Sequence, residues 1–147
     1  MIDHKHILLQ ARRAGACAAT ADIHNTNAMF NLLFSPQGRE FCIPNNFPSL
    51  EIWQEAAKEE DLRKRGIYVD AGKMAIKGTS ANLCFVGNTD AECFLTSPTT
   101  LYHVMAMHGA KVKIIARQYA VVMVSMTKDC TIITDQDSTS IIDYEYR

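Results

Sequence analysis

From residue 81 to the end of the chain, small and apolar side chains alternate with polar ones in units about ten residues long. The units are Ala81/Leu83/Phe85, Ala91/Cys93/Leu95, Thr100/Tyr102/Val104, Ala110/Val112/Ile114, Ala120/Val122/Val124, Cys130/Ile132/Thr134 and Ser140/Ile142/Tyr144. Each starts with a small or short residue and adds two more at alternate positions. The step is ten residues throughout, except for nine between Ala91 and Thr100. A spacing of two means strand, because successive side chains of an extended chain point to opposite faces. Turn formers separate the units: Gly87-Asn88, Ser97-Pro98, His108-Gly109, Lys128-Asp129 and Asp137-Ser138.

Short strands at this interval fit two architectures. One is a parallel β-solenoid in which two units make one coil and like positions stack. The other is an antiparallel meander closed into a barrel or sandwich. The order within the units favours the solenoid. Parallel stacking puts small over small at a corner, whereas a meander would send the small residues to alternate edges. The tight Asn-Gly or Asp-Gly hairpins of a meander are also missing. Out of phase with the small-residue column lie Val86, Leu101, Met105, Ile115, Val121, Met123, Ile133 and Ile141. Strands apolar on both faces need a second layer of cover.

Before Gly66 the period is helical. Ile7, Ala11, Ala14, Ala18 and Ala21 form a stripe over residues 5–22. A short helix is predicted over 27–34, capped by Thr26, with Met29, Leu32 and Leu33 on its apolar face. Ser35-Pro36 reads as a cap followed by first-turn proline, starting a helix to about Cys42. The prolines at 44 and 48 predict a loop. A helix is then expected from Leu50 to about Arg65, capped by Ser49, with Leu50, Trp53, Ala56 and Ala57 buried and Gly66 closing it. The chain therefore divides into a helical region and cap (1–66) and a β-repeat region (67–147), folded as one compact unit. The expected class is α+β, with helices packed on a short parallel β-solenoid. The 50–65 helix is placed to cap the first coil. Asp143, Glu145 and Arg147 are placed to discourage edge-to-edge addition on the last strand.

Composition narrows the function classes. Fifteen basic and sixteen acidic residues give a net charge of -1, which does not support a broad polyanion-binding surface. Nucleic-acid and membrane partners are not expected. No apolar run approaches the roughly 20 residues needed to span a bilayer, and the start lacks the apolar core of a signal peptide. Cys17, Cys42, Cys84, Cys93 and Cys130 include no close pair and no zinc-knuckle spacing, so they read as reduced thiols in a cytoplasmic protein.

Three segments, REFCIPNNFPSLEIW (39–53), RGIYVDAGKMAI (65–76) and the decapeptide units with VGNTDAECFL and HGAKVKIIARQYAVVMV, resemble a group of uncharacterised proteins of Bacteroidetes and their phages or mobile elements. The early ARRAGAC at 11–17 is similar to that group as well. The resemblance implies a helical N-terminal part followed by short β-rungs. It transfers no catalytic residue.

Candidate chemistry is sparse. No nucleophile elbow, phosphate loop or zinc-protease helix motif occurs. His4 and His6 flank Lys5 near the start. His103 and His108, five residues apart, face opposite ways if they share a strand. Cys93 counts as inward and inert, whereas Cys84 faces the other way and could be tested by alkylation. Asp135-Gln136-Asp137 reads as a turn, not a calcium loop. Lys111 and Lys113 share one strand face, and with Arg117 and Tyr119 they make the candidate interaction surface. No cofactor, metal or catalytic residue is expected. The leading expectation is a non-enzymatic protein-interaction or structural module that binds a protein partner or self-associates. A small-ligand-binding protein or unrecognised enzyme, with a pocket near Trp53 and Tyr68, is the alternative. A phage or mobile-element host-interference factor rests on the resemblance alone.

Overall fold

The structure, a computed structural model, describes residues 26–77 and 80–147. The stripe over 5–22, His4, His6 and Cys17 lie outside the described residues. Among the described residues three helices come first: α1 (Thr26–Leu33), α2 (Pro36–Asn45) and α3 (Leu50–Glu59), followed by a 3-10 turn at Leu62–Arg65. Nine strands follow: β1 (Ile67–Val69), β2 (Gly72–Lys77), β3 (Asn82–Val86), β4 (Thr89–Leu95), β5 (Leu101–Met107), β6 (Lys111–Ala116), β7 (Val121–Met126), β8 (Thr131–Gln136) and β9 (Ile141–Tyr146).

Thr26 is the first helical residue of α1, not its cap. Ser35 caps α2, its hydroxyl accepting from the Gly38 N–H at 3.1 Å. That helix runs three residues beyond Cys42 and carries Pro44 in its last turn. Asn46 then closes it in the left-handed region (φ 47°), donating to the Cys42 and Ile43 carbonyls. The expected 50–65 helix is broken at Glu60, which is extended. Three consecutive carboxylates, Glu59-Glu60-Asp61, oppose the negative helix C-terminus, so the helix stops there. Arg63, Lys64 and Arg65 occupy the last turn of the 3-10 segment instead, and Gly66 (φ 77°) ends it.

The strands make two wholly parallel sheets, in the orders β1-β3-β5-β7-β9 and β2-β4-β6-β8. Odd and even strands alternate between the sheets, so the chain winds as a parallel β-solenoid of about four turns. The helices pack on it, giving the α+β architecture that the ten-residue period predicts. From β5 onward the coil repeats at twenty residues, as in Leu101↔Val121 and Val112↔Ile132, until a bulge after Val124 sets Ser125 against Tyr146. Ala110, Ala120, Cys130 and Ser140 all sit buried at corners. Each donates its N–H three residues back, to Met107, Arg117, Thr127 and Asp137 respectively.

The earlier coils are less regular. Leu83 pairs with Val104 and Ala91 with Val112, two residues away from strict like-over-like stacking. A slip of two keeps the same face inward, so burial survives it. The slip also relieves crowding: Phe85 comes to lie beside Ala106.

Two cores result. Between the sheets lie Leu83, Phe85, Cys93, Leu95, Tyr102, Val104, Val112, Ile114, Val122 and Val124. Outside the five-stranded sheet, Ile67, Cys84, Val86, Met105 and Met107 pack against Phe30, Leu33, Cys42, Ile43, Ile52, Trp53, Ala56 and Leu62. The buried side of α3 includes Ile52, which the helical reading omitted, while Ala57 is exposed. The helices thus cover a sheet face, and α3 lies against that face. Trp53 and Tyr68 pack in different cores, on opposite sides of the five-stranded sheet.

The ends of the inter-sheet core carry tyrosines. Tyr68 stacks on Phe85 with Arg63 5.8 Å from its ring, and Tyr144 carries Arg147 at 4.2 Å. Of the three charged residues expected to guard the last strand, Arg147 covers Tyr144 and Asp143 is exposed. Glu145 instead turns toward Arg39 on α2.

Gly66 and Gly72 separate two costs in the first coil. Both are left-handed, but a Cβ on Gly66 would collide with the Asn82 carbonyl oxygen, whereas one on Gly72 meets open space. Gly72→Ala should cost about 1–2 kcal/mol, the penalty of the left-handed conformation alone. Gly66→Ala should cost clearly more, about 3 kcal/mol, because β3 must also move. Chemical denaturation of the two variants measures the difference; equal losses would contradict the close approach of β3 to Gly66.

Candidate functional site

The two sheets differ in what lies outside them. The helices cover much of the five-stranded sheet. On the four-stranded sheet, alternate side chains project outward and form three rows across the strands. They are Lys73–Asp90–Lys111–Thr131, Ala75–Glu92–Lys113–Ile133 and Lys77–Phe94–Ile115–Asp135. Neighbouring strands lie about 4.8 Å apart, so residues in a row are immediate neighbours. Phe94 touches the same row as Ile115, and Ile133 lies diagonally beyond it on β8. The result is an apolar stripe over three strands, with Phe94 37% and Ile133 57% exposed and Ile115 buried on the strand between them.

Lys111 and Lys113 do share this face. Asp90 and Glu92 stand beside them in register, so the anion-binding potential of the lysine pair is neutralised strand by strand. Arg117 sits at the rim. Its guanidinium donates to the Asp135 carbonyl at 2.8 Å and the Asp135 carboxylate at 2.9 Å, tying one coil to the next. Tyr119 projects from the following corner, 66% exposed. The structure therefore brings Lys111, Lys113 and Arg117 to one face and its rim, with Tyr119 beyond it.

That corner was not legible as a turn. Gln118 (φ 59°) and Tyr119 (φ 65°) are both left-handed without being glycine, asparagine or aspartate. The conformation is supported from the next coil: Gln118 N–H donates to Asp137 Oδ2 (3.3 Å) and Tyr119 N–H to Thr139 Oγ1 (3.0 Å). The signal that finds it is spacing, since 118–119 lies ten residues from both His108-Gly109 and Lys128-Asp129. Asp137 itself accepts from Thr139 N–H, Thr139 O–H and Ser140 N–H. The Thr139 hydroxyl foremost, with the other donors, holds its carboxyl down at about 2. Asp135-Gln136-Asp137 thus serves the corner and the coil tie. Among the described residues, no group of three or more histidine, cysteine or acidic side chains is placed to hold a metal ion.

The histidines do not converge. His108 Nε2 lies 2.7 Å from the Pro48 carbonyl oxygen, joining a solenoid corner to the α2–α3 loop. His103, on β5, faces Glu145, its Nδ1 3.6 Å from Oε2. Glu145 Oε1 accepts from Arg39 at 3.2 Å, and Arg39 also donates to the Phe34 carbonyl. Burial and then Arg39 lower the His103 pKa, against the pull of Glu145. Arg39 is 4% exposed. Sequence reasoning passed over it because its partner is 106 residues away. The cluster pins α2 to the last strand.

The thiols are inert for a physical reason. Cys84 does face away from the inter-sheet core, as the count predicts, but the helices bury it completely. Burial pushes the Cys84 thiol far up, and pushes Cys42 and Cys93 to about 12. None is a thiolate at neutral pH.

No protein-family model, curated protein or solved structure matches this chain. The fold and face define a β-solenoid structural module with a helical side layer. Among the described residues no helix is long and apolar enough to cross a membrane.

Two outcomes follow. Iodoacetamide should leave Cys42, Cys84 and Cys93 unmodified in the native protein and label them after denaturation, read by mass spectrometry; native labelling of Cys84 would contradict the helical cover. Asp137, held below its ordinary value of 3.8, stabilises the fold fully above that pH and loses the contribution as pH falls toward 2. The melting temperature gap between wild type and Asp137→Ala should therefore close on acidification; a gap unchanged from pH 7 to pH 2 would contradict the corner assignment.

Proposed function

We propose that the chain is a non-enzymatic protein-interaction module, docking a protein partner on the outer face of the four-stranded sheet. The carrying observation is the stripe Phe94–Ile115–Ile133, set in a flat face of alternating charge. An apolar centre with a polar, mixed-charge rim is the usual anatomy of a protein-protein contact. The lysines 73, 77, 111 and 113 are interleaved with Asp90, Glu92 and Asp135, which suits a partner surface of matching alternation and disfavours a polyanion. Lys111 and Lys113 supply charge within the face, and Arg117 and Tyr119 border it. The buried, unpaired thiols of Cys42, Cys84, Cys93 and Cys130 suit a reducing compartment, which supports a cytoplasmic setting.

The test pairs a face variant with a control. Phe94→Asp combined with Ile133→Asp should abolish capture of the partner that wild type retains from native lysate. Asp143→Asn, on the other sheet, should retain it. Central apolar residues commonly carry tenfold or more in affinity each. Capture unaffected by the face variant contradicts the proposal, as does wild type that binds nothing and stays monomeric by light scattering. Circular dichroism melts keep a folding failure distinct.

A further inference from the structure

A second place in the fold has the features of a ligand site. Between the C-terminal end of α2 and the corner joining β7 to β8 runs a groove of about 500 Å³. That is within the usual range for small-molecule sites. Ile43, Met126 and Tyr146 give it apolar walls. Lys128 and Arg147 bring two cations to its edge. Asn46 lines it as well, and its Oδ1 is buried without a hydrogen-bond partner.

We propose that this groove binds a small amphipathic anion with an apolar body and one acidic head group. Each part answers a feature of the site. The apolar body covers Met126 and Tyr146. The acidic head meets Lys128 and Arg147. The neighbouring carboxylate, Asp129, is committed to its own corner: it accepts from the Thr127 hydroxyl and faces the Cys130 thiol. The groove lies at the junction of helices and last coils, apart from the stripe on the four-stranded sheet, so the two proposals stand independently.

Anilinonaphthalene sulfonate is the probe, because it joins an aromatic body to one sulfonate. Titration of the intact protein, followed by fluorescence, should show one saturable site. Lys128→Glu, in an exposed corner, should weaken binding about tenfold or more. Met126→Trp, which fills the groove, should abolish saturation. Phenylnaphthylamine, the same body without the anion, should bind at least tenfold more weakly. No saturable site overturns the proposal, and so does affinity indifferent to Lys128→Glu and Met126→Trp. Equal binding of the uncharged analogue overturns the anionic assignment, and circular dichroism confirms that each variant is folded.

Discussion

Every strand in this protein obtains its backbone partners from the coil before or after it, in parallel and with the same face inward. That constraint governs the rest. A one-residue slip would turn the apolar set outward, while a slip of two is tolerated, and the early coils use that freedom. The ladder does not stop at the strand ends. Thr127 N–H donates to the Ala106 carbonyl, Thr131 to Ala110, Asp137 to Ala116 and Ile141 to Ala120, so the corners stack as well as the walls. Corner side chains are consequently small or are tied to the next coil, as Gln118 and Tyr119 are by Asp137 and Thr139. Inward columns must also share limited width, which is why Phe85 has Ala106 as its neighbour.

The same winding makes two unlike outer faces from one period. The five-stranded sheet turns Cys84, Val86, Met105 and Met107 outward, and these require the helices. Arg39 and His108 fix that layer in place, the first through Glu145 on the last strand, the second through the Pro48 carbonyl. The four-stranded sheet turns outward a checkerboard of charge with one apolar stripe. Its outward rows carry lysines beside Asp90, Glu92 and Asp135, with Phe94, Ile115 and Ile133 among them. A helix-packed apolar face on one sheet and a charge-alternating face on the other are two consequences of a single alternation.

Much of this was legible along the chain. The spacing of two, the ten-residue recurrence and the small residue ahead of each pair specify parallel coils, because those features are local. The excess of out-of-phase apolar residues correctly demands a second layer, but it does not say that the described helices pack on the five-stranded sheet. Leu101, Ile133 and Ile141 remain exposed, whereas Val86 and Met105 do not. The candidate lysines were placed on one face by period, yet their neutralisation was invisible. Asp90 and Glu92 become their neighbours only through a register of twenty-one residues that the corner at 96–100 sets. The Arg39–Glu145 tie and the groove beside Asn46 join segments about a hundred residues apart, where no local pattern reaches.

The parallel register between alternate strands is the central claim, and solution NMR measures it most directly. Nuclear Overhauser contacts between backbone protons should link β6 to β8 and β5 to β7, joining residues around Lys111 with those around Thr131, and Leu101 with Val121. Contacts linking β6 to β7 in antiparallel order, with Ala116 opposite Val121 and Lys111 opposite Met126, would contradict it.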